Sequence, residues 1–268
     1  MTESRYLLRG ASPEHHVMDT ADRVAYLARI GYGGATEPSP AVLAELQLAH
    51  LLTVPFENLS IHTGEEIRLS PEWLFDKVVR RRRGGFCYEL NGLFAELLVD
   101  LGFPVERLAA RVFRDDGSLG IPFDHMCLRV TAGGRAWLTD VGFGDSFATP
   151  LVLDDPREQD DGRRGYRIEP DGDERILWAG ATRSYRFGLT PFALADFEPG
   201  RHYHTTSPQS HFTARRVISR LTPEGRVTLR DDRLIVTTGD DKREQPVADA
   251  GEWRRLAAER FGIDLGGR

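Results

Sequence analysis

The chain has 268 residues, of which 40% are hydrophobic and 28% charged, the balance of a folded globular protein rather than a disordered or fibrous one. Its net charge of −6 argues against a nucleic-acid partner, because binding phosphates requires an excess of Lys and Arg; the run from Arg80 to Arg83 is the one basic exception. With two cysteines, no apolar run near ~20 residues and no signal-peptide pattern at the first residues, the chain is expected to be cytoplasmic, without a membrane partner.

Capping signals predict that residues 19 to 101 are mainly helical. Asp19 or Thr20 can cap a first helix that Gly31 ends. Ser39-Pro40 and Ser70-Pro71 each place a capping side chain before a proline at the first helical position, where the missing N–H costs nothing. Two further helices are therefore expected to begin at these pairs.

A fourth helix is predicted after Gly84-Gly85, with Cys87 in its first turn and Gly102 at its end. Its apolar residues recur at helical spacing along one stripe: Leu90, Leu93, Phe94, Leu97, Leu98 and Leu101. One face of this helix should therefore be buried.

From Val105 onward, short β-prone stretches alternate with turn signals, so the middle of the chain should form a sheet or barrel. The segment from about Phe192 predicts three strands (Ala214 to Leu221, Arg226 to Leu229, Leu234 to Thr237) and a last helix that carries Trp253 and Phe261. The expected fold class is α+β.

Cys87 is the candidate nucleophile. A thiol at a helix start meets unpaired backbone N–H groups and the positive end of the helix dipole, which can lower its pKa from ~8.5 towards ~3.5–7.5. We expect the two preceding glycines to let a substrate approach the backbone. The alternative is a small buried hydrophobe, which is how we interpret Cys127 within the strand-like Met126 to Val130.

His125 and Asp140 are predicted to lie on one face of a β-hairpin. If Ala132 and Gly133 form the turn, the two residues face each other directly, with Cβ atoms ~4.5–5.5 Å apart. A turn at Gly133-Gly134 makes the pair diagonal but keeps both side chains on the same face. A carboxylate beside a histidine fixes its tautomer, as in a catalytic triad, although an ordinary cross-strand pair remains the alternative.

Three other histidines, His202, His204 and His211, are interpreted as loop or binding-surface residues. They have neither a carboxylate partner nor a regular spacing, so no metal site is expected.

With these residues identified, the chain closely resembles the arylamine N-acetyltransferases. The resemblance runs nearly end to end, through Arg29 to Gly31, His50, Val54 to Leu59, Arg83 to Asn91, His125, Trp137 to Gly144, and Thr206 to Phe212. It implies a helical bundle at 1–103 that carries the nucleophile, a β-barrel at 104–191 that carries the histidine and aspartate, and an α/β lid at 192–268.

The resemblance also implies a catalytic triad of Cys87, His125 and Asp140, the three residues selected above. The implied acetyl donor is acetyl-coenzyme A, and the implied acceptor is an arylamine, hydrazine or arylhydroxylamine. The resemblance further implies a role in xenobiotic metabolism and a reaction that uses no metal. Phe143 falls where family members line the acceptor pocket, and Tyr203, Ser207 and Gln209 fall where the lid approaches the coenzyme. Arg83 is expected to pair with Glu89.

Two carboxylates depart from the family pattern, Asp124 before the histidine and Asp145 after the glycine motif, and either could favour cationic acceptors. Three alternatives stay open: an amide synthase that closes a polyketide macrolactam with the same three residues, a cysteine hydrolase with water as acceptor, and a silent binding protein. The Arg80 to Arg83 run is interpreted as a solvated helix face, with binding of the coenzyme's phosphates as the alternative.

Overall fold

The computed structural model describes residues 18–265 and confirms the α+β class. Its helices are α1 (Thr20–Arg29), α2 (Pro40–Thr53), α3 (Leu59–Thr63), α4 (Pro71–Phe75), α5 (Cys87–Asp100), α6 (Glu198–Thr206), α7 (His211–Ala214) and α8 (Ala250–Phe261). A π-helical turn, Asp76–Arg80, follows α4, and a 3₁₀ turn, Leu194–Phe197, precedes α6. Within the described residues, no helix is both long and apolar enough to span a bilayer.

The predicted caps are present at the first three helices that were expected. The side chains of Asp19, Ser39 and Ser70 accept hydrogen bonds from backbone N–H groups in the first turns of α1, α2 and α4. The stripe on α5 is buried, and this helix packs against the strands of the middle segment.

Two antiparallel sheets account for the strands. The first has eight strands in the order β5-β4-β3-β2-β9-β8-β7-β6 and curls into a nearly closed barrel. Its strands are β2 (Val105–Val112), β3 (His125–Ala132), β4 (Arg135–Thr139), β5 (Leu151–Val152), β6 (Gln159–Asp160), β7 (Gly165–Asp171), β8 (Glu174–Ala179) and β9 (Thr182–Phe192).

A side chain joins the two edges of this barrel. The Gln159 amide oxygen accepts from the Val152 N–H at 2.7 Å, and its amide nitrogen donates to the Val152 carbonyl at 2.9 Å. The glutamine thus satisfies backbone groups that a paired strand would otherwise satisfy.

The second sheet has five strands in the order β1-β10-β11-β12-β13. They are β1 (Phe56–Glu57), β10 (Val217–Thr222), β11 (Gly225–Arg230), β12 (Arg233–Thr238) and β13 (Asp241–Pro246), and α8 packs against β10 and β11. The three predicted strands correspond to β10, β11 and β12. The predicted boundaries at residues 103 and 191 remain predictions, and β1, from the helical part of the chain, pairs in the sheet of the last part.

Among the described residues, five elements have no counterpart in the sequence analysis: α3, α6, α7, β1 and β13. Every residue of β13 is exposed, and its sequence (Asp-Lys-Arg-Glu-Gln-Pro) has no apolar alternation. It forms because its backbone pairs with β12 from Arg233↔Pro246 to Thr238↔Asp241. Charged residues on such an edge also oppose unwanted strand pairing.

Candidate active site

Cys87 is the first residue of α5, and its side chain is buried at the junction between the helical segment and the barrel. We expected Gly84 and Gly85 to let a substrate approach the backbone. This expectation is wrong, because other parts of the protein pack against both glycines. A Cβ on Gly84 would lie 1.9 Å from the Pro55 carbonyl oxygen, and one on Gly85 would lie 2.7 Å from Glu89 Cβ. These glycines let β1 pack directly against the loop that leads to the nucleophile.

The His125–Asp140 pair forms through the second of the two predicted registers. Strands β3 and β4 pair as Ala132↔Arg135 and Leu128↔Thr139, so the turn is Gly133-Gly134, and the directly opposed arrangement is wrong. Both glycines have positive φ, which suits a two-residue hairpin turn. Asp140 follows the end of β4, and its Oδ2 lies 2.7 Å from His125 Nε2.

Four groups approach the two oxygens of the Asp140 side chain. His125 Nε2 and the Tyr185 hydroxyl (3.1 Å) approach Oδ2, while Asn91 Nδ2 and the Gly142 N–H, each at 2.9 Å, donate to Oδ1. All these groups are buried, so the carboxylate has a fixed orientation. Because Asp140 accepts from His125 Nε2, it leaves Nδ1 of the imidazole to exchange protons.

Asn91 and Tyr185 were missed as site residues by the sequence analysis. Asn91 lies one turn after Cys87 on α5 and also donates to the Met126 carbonyl (2.6 Å), while its own carbonyl accepts from the Val141 N–H (2.9 Å). Its i+4 spacing from the cysteine was the available signal. Tyr185 lies on β9 and comes near Asp140 because β2 alone separates β9 from β3 in the sheet, a strand order for which the sequence carried no local signal.

Gly142 fixes the distance between the aspartate loop and the nucleophile helix. A Cβ at this position would lie 2.8 Å from Cys87 Cα and 2.8 Å from Asn91 Nδ2. Only glycine allows this approach without displacement, so Gly142 is a structural requirement of the site.

A cavity of about 170 Å³ opens onto the sulfur of Cys87. Its lining combines the cysteine and the histidine with an aromatic wall: Phe56, Cys87, Val112, Asp124, His125, Gly142, Phe143, His204, His211 and Phe212. Phe143 packs edge-on against His125, with ring centroids 5.2 Å apart. Phe143 therefore forms part of the aromatic wall beside the imidazole.

The helix start alone does not make Cys87 acidic in the resting protein. Burial raises the pKa of the thiol well above its usual value; backbone hydrogen bonds from Met126 and Tyr88 lower it only in part, and the charges of Asp124 and Asp140 raise it. The direction of the pKa shift is therefore opposite to the one expected from the helix start, and a thiolate requires the imidazole to accept its proton.

A second cavity of about 430 Å³ adjoins the first and shares Val112, Asp124, His204 and His211 with it. Tyr203 and Gln209 line this larger cavity. Ser207 lines neither; its hydroxyl instead donates to the Gln209 side chain at 3.0 Å. Two of the three residues singled out in the last segment thus line the cavity that adjoins the one at Cys87.

The predicted Arg83–Glu89 pair is wrong. Glu89 lies 2.6 Å from Lys77, with both side chains buried, and also accepts from the Phe86 N–H at 3.1 Å. Arg83 pairs instead with Glu57 at 2.8 Å, which joins the nucleophile loop to β1. The π-helical turn carries Lys77 and brings it beneath α5.

The basic run has carboxylate partners of its own. Arg80 lies 3.4 Å from Asp22, and Arg81 contacts Asp76 (2.8 Å) and Glu65. Neither arginine lines either cavity near Cys87, which favours the solvated-face interpretation. Among residues 18–265, no group of three or more His, Cys, Asp or Glu side chains is arranged to hold a metal ion.

Asp124 and Asp145, the two carboxylates that differ from the family pattern, have different surroundings. Asp145 is neutralised by Arg164 (3.3 Å) and Arg226 (3.2 Å) and lines a separate cavity. Asp124 lines both cavities near Cys87.

A buried thiol that shares a cavity with a carboxylate-bound imidazole is typical of enzymes that use a cysteine nucleophile. The N-acetyltransferase family model matches residues 39–268. The chain belongs to the arylamine N-acetyltransferase family.

Curated relatives cover nearly the whole chain. An arylamine N-acetyltransferase of Mycolicibacterium smegmatis is 36% identical over 256 residues, which are 91% of this chain and 93% of the relative. That of Escherichia coli is 32% identical over 250 residues, or 90% of this chain and 88% of the relative.

Solved structures share the fold. The Salmonella typhimurium enzyme superposes with a TM-score of 0.88 at 31% identity, covering 92% of this chain and 93% of that one. The Mycobacterium marinum enzyme in complex with CoA gives 0.84 at 34% identity, covering 90% and 92%. A Bacillus cereus enzyme described as having a unique Cys-His-Glu catalytic triad gives 0.86 at 26% identity, covering 92% and 100%.

Proposed function

We propose that the protein transfers an acetyl group from acetyl-coenzyme A, through a thioester on Cys87, to the nitrogen of an arylamine, arylhydrazine or arylhydroxylamine. The observation that carries this proposal is the cavity in which the Cys87 thiol meets His125, whose Nε2 is bound to Asp140 at 2.7 Å. Family membership supports the acetyl donor and the acceptor class. The complex of the M. marinum relative with CoA supports the donor.

In the first half-reaction, His125 Nδ1 accepts the thiol proton and the Cys87 sulfur attacks the thioester carbonyl carbon. The carbon–sulfur bond to coenzyme A then breaks, and its thiolate leaves with the proton that His125 returns. Asp140 stabilises the transient imidazolium and holds its tautomer. We expect the backbone N–H groups of Met126 and Tyr88, which interact with the sulfur, to stabilise the oxyanion.

In the second half-reaction, the amine nitrogen attacks the acetyl carbonyl of the Cys87 thioester. The carbon–sulfur bond breaks, the electron pair returns to sulfur, and the amine proton passes to His125. Phe143 and Phe212 supply the apolar wall against which an aryl ring can pack.

The names of the curated relatives favour acetyl transfer over the amide-synthase alternative. The relatives of M. smegmatis and E. coli are both arylamine N-acetyltransferases.

Intact-mass measurement after mixing with acetyl-coenzyme A tests the proposal. We expect a single acetyl group on Cys87, stable without an amine and discharged by an arylamine or hydrazine. Rapid loss of the acetyl group to water would instead support the hydrolase, and a chain that never becomes acetylated would support a silent binding protein or a different donor.

A further inference from the structure

Asp124 is the charged residue shared by the two cavities at the proposed site. It precedes His125, its side chain is 13% exposed, and it lines both the cavity at Cys87 and the adjoining cavity of about 430 Å³. A molecule that reaches the sulfur through the larger cavity must pass this carboxylate.

The position of Asp124 is fixed from two sides. The Val112 N–H donates to Oδ2 at 3.2 Å, and His204 Nε2 lies 3.1 Å from Oδ1. The Asp124 backbone carbonyl also accepts from the Tyr88 hydroxyl at 3.1 Å. The carboxylate is therefore held by the barrel and by α6 rather than free to move into solvent.

His204 is itself fixed on the side away from Asp124. Its Nδ1 lies 3.1 Å from the Ser210 hydroxyl, whose oxygen accepts from the Phe212 N–H at 3.2 Å. The ring therefore contacts Asp124 from one direction and leaves the carboxylate in the lining of both cavities.

The lining of the larger cavity contains more carboxylates than guanidinium groups. Asp115 and Asp116 line it in addition to Asp124, together with one arginine, Arg114. After burial, the charge of Asp124 is also the foremost of the charges that raise the pKa of Cys87, ahead of Asp140.

We propose that Asp124 is a specificity-determining residue, which makes the enzyme prefer aromatic amines or hydrazines that carry a second, positively charged group. The reacting nitrogen enters the cavity at Cys87 in its neutral form, and the cationic group remains beside Asp124 in the larger cavity. This inference rests on the proposed acetyl transfer and adds the charge of the acceptor to it.

Three anilines of similar shape test the inference, with a para carboxylate, a para carboxamide or a para trimethylammonium group. The enzyme is first acetylated and its mass checked, and the rate of discharge by each acceptor is then measured in single turnover. The ratio of the Asp124→Asn rate to the wild-type rate removes the intrinsic reactivity of each aniline.

We expect Asp124→Asn to slow discharge by the cationic aniline about tenfold, to change the neutral one by less than about twofold, and to speed the anionic one several-fold. Asp145→Asn is the matched control, because two arginines neutralise that carboxylate in a different cavity; its three ratios should be equal. Equal ratios for Asp124→Asn would overturn the inference, whereas failure of wild-type acetylation would overturn the proposed function instead.

The wild-type enzyme provides a second test that does not depend on folding of the variant. The preference for the cationic over the anionic aniline should shrink as the ionic strength rises towards roughly 1 M, where charges are screened within ~3 Å. A preference that is absent at low salt would also contradict the role of Asp124.

Discussion

The two cysteines of this protein share their free state, their burial and the direction of their pKa shift, yet only one opens onto a cavity that contains a base. Both are free, both are buried, and burial raises the pKa of each well above its usual value. Cys127 lies on β3, two residues from His125, and its sulfur is 3.9 Å from the Leu108 carbonyl oxygen inside the barrel. Cys87 opens onto a cavity that also contains the imidazole. Access and a base, rather than a low resting pKa, distinguish the two thiols.

The largest expected effect comes from removing the nucleophile itself. Cys87→Ala should abolish acetylation and lower kcat/KM by about 10⁴-fold or more, because no other group can form the thioester. The measurements are intact mass and steady-state acetyl transfer. Cys127→Ala is the matched control and should still be acetylated; acetylation of the Cys87→Ala protein would contradict the comparison.

The next effect comes from the carboxylate that orients the base. Asp140→Asn presents an amide to His125 and allows the wrong tautomer, so kcat/KM should fall by about 10²–10⁴-fold. The rate of Cys87 alkylation by iodoacetamide should fall as well, towards that of Cys127. Tyr185→Phe removes one donor to the same oxygen, at 3.1 Å, and should cost about tenfold or less. An Asp140→Asn enzyme with unchanged turnover would limit Asp140 to a structural role.

A smaller effect is expected from separating the nucleophile helix and the aspartate loop. Gly142→Ala places a methyl group 2.8 Å from Cys87 Cα, so it should lower kcat about tenfold and the free energy of unfolding by about 1–3 kcal/mol. Gly134→Ala is the control: its φ is +73° but no atom lies within 4 Å, so it should cost about 1 kcal/mol in stability without loss of kcat. Equal kcat values in the two variants would refute the packing argument.

The smallest effect concerns Cys127 and appears only at alkaline pH. Because burial raises its pKa in the folded protein, the unfolded chain loses this proton first, and stability should fall as pH rises above about 8.5. Between pH 8 and 10 the wild type should lose about 2 kcal/mol more than Cys127→Ala, as measured by urea unfolding. Parallel pH profiles of the two proteins would mean that Cys127 contributes nothing to this dependence.

Local patterns in the sequence were sufficient to predict much of the fold and the three central site residues. The caps at Ser39 and Ser70 are short-range hydrogen bonds, which residue type and spacing indicate directly. The side-chain parity of β3 and β4 likewise placed His125 and Asp140 on one face. The exact register was not decided, because Ala132-Gly133 and Gly133-Gly134 both suit a tight turn.

What the sequence could not supply depends on contacts between distant segments. Gly84 and Gly85 are required by β1 and by Glu89, and the partner of Arg83 is Glu57, 26 residues away. Strand β13 has no apolar pattern and forms only through its ladder with β12. Tyr185 reaches Asp140 from β9, a contact that depends on β9 pairing beside β2 in the eight-stranded sheet.

Strand β1 links the nucleophile to the end of the chain. On one side, the Glu57 N–H donates to the Gly85 carbonyl at 2.8 Å, two residues before Cys87; on the other, Phe56 and Glu57 pair with Ser219 and Ile218 of β10. This dipeptide therefore couples the position of the loop before Cys87 to that of the five-stranded sheet. A truncation that removed β10 would leave β1 without its neighbour in the sheet and would remove the support on the far side of that loop.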